Sequence, residues 1–455
     1  MPEEKPAPLG FPTASAVVVA SMIGVGVFSS LSFQIHSLSS GFSILFLWAV
    51  GAVVALLGAF CYAELGAALP RSGGEYHLLS RIFHPSLGFL AGWVSLIAGF
   101  AAPIAAASMA FAAYLAKVSP ALNSYRSAVA LAIVALVSII HATQVSLGAR
   151  FQVAFTVLKL LLMLLLAAAA GMSSANTGMR FSPMPGDMAL IASSAFAVSF
   201  VYVTYAYTGW NAAIYIAGET KSPQKTLPRA LISATLLVGV IYLLVNYAFL
   251  KVVPISEMLS VNVFAEGEAG MVQNELAIGF LAGKRLFGEQ GGMIIGALIA
   301  LCLVSTISAM VLTGPRVLST MAQDYAWLSW FNVGQANGRS LPPTYALALQ
   351  FALVAILILS ASFEAVMQYI GLTLSLFSCL VVLGLMRLRM TEPDLARPFR
   401  CPGYPITPIL FLAVNAWMLY FLASAKPSTA IASAATIASG LVVYVLVPKA
   451  KSAAA

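Results

Sequence analysis

Polar positions along this chain are confined to short gaps between long apolar runs. Twelve runs stand out, at roughly 11–36, 41–68, 86–117, 126–146, 150–171, 187–216, 228–252, 290–322, 343–361, 363–387, 404–424 and 428–447. A bilayer-crossing helix needs about 20 apolar residues, and the runs are of that order. None shows the ten-residue alternation of a membrane β-barrel strand. The pattern predicts an all-α polytopic membrane protein with about twelve transmembrane helices. The first run has an acidic flank (Glu3, Glu4) and no small-residue cleavage site, so it is expected to persist rather than be removed as a signal peptide.

Composition narrows the class. Of 455 residues 61% are hydrophobic and 8% charged, against about 25% charged in soluble proteins. So few charges cannot solvate an outer shell, and lipid must cover most of the surface. Cys61, Cys302, Cys379 and Cys401 lie far apart without a CxxC pair, which excludes a disulfide scaffold. The net charge of +8 invites a nucleic-acid reading, but the placement of the basic residues argues otherwise. With both termini inside, 15 lysines and arginines, among them Arg71, Arg81, Lys221, Arg389 and Arg397, fall on the cytoplasmic side and 7 outside. This is the positive-inside bias, and it explains the charge with a lipid bilayer and no nucleic acid as partner. The expected organisation is a cytoplasmic tail 1–10, helices one to five over 11–171, six to ten over 187–387, two final helices over 404–447 and a tail 448–455. The long outer loop 253–289 is acidic, and Met271 to Phe287 is expected to form a short interfacial helix.

Two runs are interrupted by glycine. In the first, Ser21-Met22-Ile23-Gly24-Val25-Gly26-Val27-Phe28 puts two glycines one residue apart; in the sixth, Tyr205-Ala206-Tyr207-Thr208-Gly209-Trp210-Asn211 puts one beside bulky and polar groups. Unwinding a helix inside a bilayer strands backbone groups that water cannot reach, and is tolerated where they line a cavity. Free amides at the start of a half-helix suit a carboxylate, and free carbonyls suit an ammonium. One break in each half therefore fits a zwitterionic amino acid, with spans one to five and six to ten as a 5+5 inverted repeat followed by two helices. Each glycine motif alone is more commonly a helix-packing feature than a site; the pairing carries the weight.

The same residues resemble a known family. MIGVGVF is similar to the glycine-rich break, usually GSGIF or GAGIF, of the amino acid–polyamine–organocation superfamily. YAYTGWN followed by AGETKSPQKTLPRA resembles its sixth helix and sixth-to-seventh loop. Arg71-Ser72-Gly73-Gly74-Glu75-Tyr76 resembles its re-entrant first inner loop, and Pro393-Asp394 through Arg397-Pro398-Phe399 its tenth-to-eleventh loop. The likeness spans roughly 10–447, and the nearest subgroup is the L-type amino acid transporters and their bacterial relatives. It implies a leucine-transporter-like fold. It further implies that amides around Val25, Gly26 and Val27 hold the substrate carboxylate, and that carbonyls at Met22, Tyr205, Ala206 and Thr208 hold the ammonium. Asn211 would stabilise the break or line the pocket, and Tyr205 would gate it. Val25 stands where the family usually has a small or hydroxylated residue, and Thr208 where it often has glycine.

Lys159 lies inside the fifth run, in FTVLKLLLMLLL. An ionisable group there costs about 2.5–3.5 kcal/mol on insertion scales and is a functional candidate by default; the alternative is snorkelling toward the interface. The resemblance implies a stand-in for a bound sodium ion, its ammonium bridging a first-helix carbonyl near Ser21 to the eighth helix. Ser305, Thr306 and Ser308 are the candidate partners there, with Tyr242 of the seventh helix as a hydroxyl neighbour. Two cations would repel at short range, so sodium-independent transport is expected, by exchange or proton coupling. Glu64 is expected at the inner face, exposed or paired with a loop; Glu75 and Glu219 are expected to pair with Arg71, Arg81 and Lys221 as cytoplasmic latches.

No histidine shares ligand spacing with another or with a cysteine, so no metal is expected, nor any cofactor. HExxH, GxSxG and P-loop patterns are absent. An intramembrane enzyme is therefore disfavoured against a secondary transporter of the plasma (inner) membrane that works by alternating access. The other reading is an amino-acid sensor without transport. The assignable pocket side chains are neutral, which favours small or medium neutral amino acids as substrates. An accessory subunit is not implied, since no cysteine sits convincingly in an outer loop.

Overall fold

The computed structural model describes residues 9–38, 40–143, 148–175, 177–260, 278–331, 335–336, 339–340 and 344–446. The first span is two helices, α1 (Phe11–Met22) and α2 (Gly26–Gln34). Then come α3 (Gly41–Ala68), a short α4 (Glu75–Ile82) and α5 (Pro85–Val94). α5 runs through a π-helical stretch, Ser95–Ala101, into α6 (Ala102–Val118). The π turn sits just before Pro103, whose ring and missing N–H disrupt the regular ladder. α7 (Arg126–Thr143) and α8 (Gly148–Met172) complete the first half.

The second half opens with α9 (Asp187–Ile191) and α10 (Ser194–Tyr207), then a 3-10 segment Ala212–Glu219. It continues with α11 (Pro223–Val252), α12 (Ile255–Ser260), α13 (Ile278–Asp324), α14 (Thr344–Ser360), α15 (Phe363–Thr391), α16 (Ile406–Ala425) and α17 (Pro427–Leu446). Among the described residues ten helices are long and apolar enough to cross a membrane. The broken sixth span and the 17-residue Thr344–Ser360 account for the other two of the twelve expected.

Boundaries differ from the sequence pattern in two places. The sixth span begins at Ser194 rather than 187, because the Ser193 hydroxyl caps α10 by accepting from the Phe196 amide (3.3 Å) and leaves Asp187–Ile191 a separate short helix. In the outer loop, 261–277 fall outside the described residues, so the first part of the expected interfacial helix does too. From Ile278 the chain is helical up to Gly288, where φ is 78° and a kink joins it to the eighth span.

α11 packs chiefly on α3, α13 on α6 and α1 on α11. Large apolar side chains are exposed on the outer helices, among them Leu136 and Ile139 on α7 and Ile431, Val442 and Val445 on α17. These are lipid-facing positions, since a water-facing surface does not carry so many. The N-terminal segment is tied to the sixth-to-seventh connection: the Leu9 amide donates to the Glu219 carbonyl and the Lys221 amide to the Leu9 carbonyl, both at 2.8 Å.

Candidate functional site: two helix breaks and a buried lysine

The two interrupted spans lie against each other at their breaks. α1 stops at Met22 and α2 restarts at Gly26. α10 ends at Tyr207, where Thr208 turns extended (φ −54°, ψ 148°) and Gly209 takes φ 95°. That φ is one side chains rarely adopt. A Cβ on Gly209 would also lie 2.7 Å from the Ser21 carbonyl oxygen, so glycine is required twice over. A Cβ on Gly26 would lie 2.6 Å from Ala206 Cα. Each break thus has a glycine pressed on the backbone of the other span.

The exposed backbone is only partly paired within the protein. The Tyr242 hydroxyl of α11 lies 2.7 Å from the Met22 carbonyl and 3.1 Å from the Ala206 carbonyl. One hydroxyl has one proton, so it satisfies one of the two at a time. The Tyr205 carbonyl accepts from the Thr208 amide (3.0 Å) and hydroxyl (2.7 Å). Among the described residues no backbone carbonyl meets the amides of Val25 or Val27, which flank the start of α2.

Lys159 of α8 is 1% exposed. Its ammonium donates to the Ile23 carbonyl at 3.1 Å and to the Thr306 hydroxyl of α13 at 2.7 Å. The side chain therefore turns inward to the first break. The carbonyl is that of Ile23, two residues beyond Ser21, and the hydroxyl is that of Thr306, the neighbour of Ser305. The Ser305 hydroxyl is buried without a partner, and Ser308 meets the Nε2 of His141 at 2.8 Å. Tyr242 serves the two breaks rather than the lysine.

Two carboxylates, Glu75 and Glu364, take positions that sequence reading placed differently or missed, and Glu64 is paired with a loop as expected. Glu75, expected as a latch to basic loop residues, is 3% exposed and forms no ion pair among the described residues. Its Oε1 accepts from the Tyr62 hydroxyl of α3 (2.5 Å), the Asn211 amide group (3.1 Å) and the Ser378 hydroxyl of α15 (3.4 Å). Burial pushes its carboxyl up to about 7, with the hydrogen bonds from Tyr62, Ser378 and Asn211 opposing. The loop arginines are engaged elsewhere: Arg71 with Asp324 at 3.4 Å and Arg81 with Glu392 at 2.8 Å. Glu219 is exposed. Glu64 is 1% exposed and loop-paired, with Arg389 at 2.5 Å, Arg397 at 3.3 Å and the Cys401 amide at 2.6 Å. Glu364, unremarked in the sequence, accepts from the Tyr202 hydroxyl at 2.5 Å, and the Tyr202 ring stacks on Phe33 with centroids 5.0 Å apart. No spacing signal marks that pair, because its members lie 162 residues apart in sequence.

A cleft of about 420 Å³, open solvent included, lies beside α10. Its walls include Gly51 and Ala55 of α3, Thr204 and Thr208, Ser378 of α15 and Asn415 of α16. It has no wall from α1 or α2, so it is distinct from the contact of the two breaks; Thr208 alone of the expected substrate residues lines it.

The two interrupted spans of this polytopic bundle thus face each other at their breaks, and no cluster that could hold a metal ion occurs among the described residues. The amino acid permease family matches residues 9–447, and the chain belongs to that family, one of transporters and not enzymes. It is 25% identical over 427 residues to the human b(0,+)-type amino acid transporter 1, covering 92% of this chain and 83% of the relative. It is 26% identical to the mouse Asc-type amino acid transporter 1, covering 96% and 80%. It is 24% identical to the serine/threonine exchanger SteT of Bacillus subtilis, covering 90% of each.

Proposed function

We propose that this chain is a sodium-independent secondary transporter that moves small or medium neutral amino acids across the plasma (inner) membrane by alternating access. The observation that carries the reading is the apposition of the two breaks, Gly26 on Ala206 and Gly209 on Ser21, with Tyr242 bridging the Met22 and Ala206 carbonyls. The substrate carboxylate sits at the amides of Val25, Gly26 and Val27. Its ammonium takes over the Met22 and Ala206 carbonyls from the Tyr242 proton, with the carbonyls of Tyr205 and Thr208 alongside. Bulky Val25 narrows the carboxylate end, and neutral Thr208 and Asn211 give no counter-charge to a cationic side chain.

Lys159 supplies a fixed cation where a coupling sodium would otherwise bridge the first break to α13. Residues 11–171 and 187–387 act as inverted repeats, with 404–447 appended and both termini cytoplasmic. The relatives' names, a serine/threonine exchanger among them, support exchange of amino acids.

A thermal-shift screen of the purified protein against the twenty amino acids, with and without sodium, tests the reading, since a ligand of the folded state stabilises it. Stabilisation by neutral amino acids regardless of sodium is expected. Binding without passage in liposomes would favour a sensor instead.

A further inference from the structure

Glu75 is the one buried carboxylate of the described bundle that meets neither an arginine nor a lysine. Glu64 is neutralised by Arg389 and Arg397, Glu364 lies 3.8 Å from Lys426, and Asp187 pairs with Arg180 at 2.8 Å. An isolated carboxylate in a dry site is costly and tends to take up a proton instead. Three neutral donors hold Glu75, and they come from parts that must separate if the sixth span moves: Asn211 from the break, Tyr62 from α3 and Ser378 from α15.

The titratable groups facing Glu75 are phenols. Tyr62 comes from α3, and Tyr215 comes from the 3-10 segment, its hydroxyl 3.3 Å from Ser95 of the π-helical stretch. α5 carries no charged residue, and α15 contributes Ser378. On the other flank of α4, Asp324 of α13 is held by Tyr76 (2.6 Å) and Arg71. His77 of α4 is kept neutral, its imidazole lowered to about 4 by burial and by Arg71. Among the described residues no neighbour therefore supplies a compensating cation.

We propose that Glu75 binds and releases a proton in each transport cycle, so that the carrier moves protons together with its amino acid. The proton adds to a carboxylate oxygen of Glu75 and leaves from it; no other bond forms or breaks. The anion grips Asn211 and ties the inner half of the sixth span to α3 and α15. The neutral acid accepts the Asn211 hydrogen bond more weakly, and that half is freed to swing. The cleft reaches Ser378, a direct partner of Glu75, so water in it brings the proton within one side chain of its site. The inference rests on the transporter reading above and adds the coupling ion and its residue.

The test uses the purified full chain in liposomes containing a trapped pH-sensitive dye, given a mixture of labelled serine, alanine and leucine. With a carboxyl near pH 7, the protonated fraction falls roughly tenfold between pH 6 and pH 8. Uptake should fall by about that factor over the same range, and the lumen should acidify as amino acid enters. Glu75→Gln should abolish both the acidification and the pH dependence. Ser378→Ala removes a donor that favours the anion, so it should move the uptake midpoint to higher pH while keeping acidification. Amino acid entering with no change in lumen pH, or Glu75→Gln retaining proton movement, overturns the proposal and leaves the transporter reading intact. Should Glu75→Gln not fold, the wild-type lumen pH and the Ser378→Ala midpoint still decide. Failure of any labelled amino acid to enter at any pH overturns the transporter reading, and the coupling proposal with it.

Discussion

The Lys159 ammonium lies 3.1 Å from the Ile23 carbonyl, the first one beyond the end of α1, and 2.7 Å from the Thr306 hydroxyl. A carbonyl released by helix unwinding is thereby held by a charge-assisted hydrogen bond from another span. Lys159→Ala should reduce amino acid uptake in liposomes at least tenfold. It should also lower stability by about 1–3 kcal/mol, the cost of leaving buried polar groups unpaired. Lys159→Arg should not restore uptake, because a planar fork replaces a compact ammonium. Unchanged uptake by Lys159→Ala would remove the lysine from the mechanism.

The glycines of the breaks should respond unequally. Gly209→Ala meets the Ser21 carbonyl in a backbone conformation with φ 95°, and a strained position of this kind costs on the order of 1–3 kcal/mol. Gly26→Ala meets Ala206 at 2.6 Å, whereas a Cβ on Gly24 lies 3.6 Å from Thr306 Cγ2, an ordinary contact. Uptake should be lost in the first two variants and largely kept in Gly24→Ala. Equal behaviour of the three would contradict the close apposition of the spans.

Tyr242→Phe removes the hydroxyl shared by the Met22 and Ala206 carbonyls. The apo protein should melt lower, by an amount corresponding to about 1–3 kcal/mol. In the proposed binding mode a bound amino acid brings its own ammonium to those carbonyls, so the ligand-induced thermal shift should be larger in Tyr242→Phe than in the wild type. A smaller shift would mean that the tyrosine itself, rather than the carbonyls, binds substrate.

Glu75 also sets a pH dependence of stability. Its carboxyl is raised from 4.5 to about 7 in the folded protein, so between those values the folded state holds a proton that the unfolded state has lost. Stability from this group is fully present below about 4.5 and is lost as pH rises through 7, by up to on the order of 3 kcal/mol. The melting temperature in detergent should therefore fall from pH 5 to pH 8 in the wild type, and fall less in Glu75→Gln. Parallel curves for the two proteins would contradict the burial of an unpaired acid.

The apolar runs were enough to read the helices, because a bilayer demands about twenty apolar residues per crossing and little else produces such runs. Both breaks were legible from glycine beside polar groups, and Lys159 from its isolation among leucines. Its partners were legible only to within a residue or two, since which carbonyl it meets depends on how far α1 continues before unwinding. Glu75 was misread for a physical reason. Its neighbours in sequence, Arg71 and Arg81, suggest pairing, but α4 turns Glu75 into the bundle while Arg71 goes to Asp324 and Arg81 to Glu392. Contacts such as Tyr202 with Glu364 join distant helices and leave no trace in local spacing.

Amino acids are expected to pass through the paired breaks without sodium. Counterflow measures this directly: liposomes containing purified protein are loaded with unlabelled neutral amino acid and diluted into sodium-free buffer with a labelled trace. Accumulation of label above its equilibrium level, equal with and without sodium and absent in Gly209→Ala, is the result expected. Accumulation only when sodium is present, or none for any neutral amino acid, would contradict it.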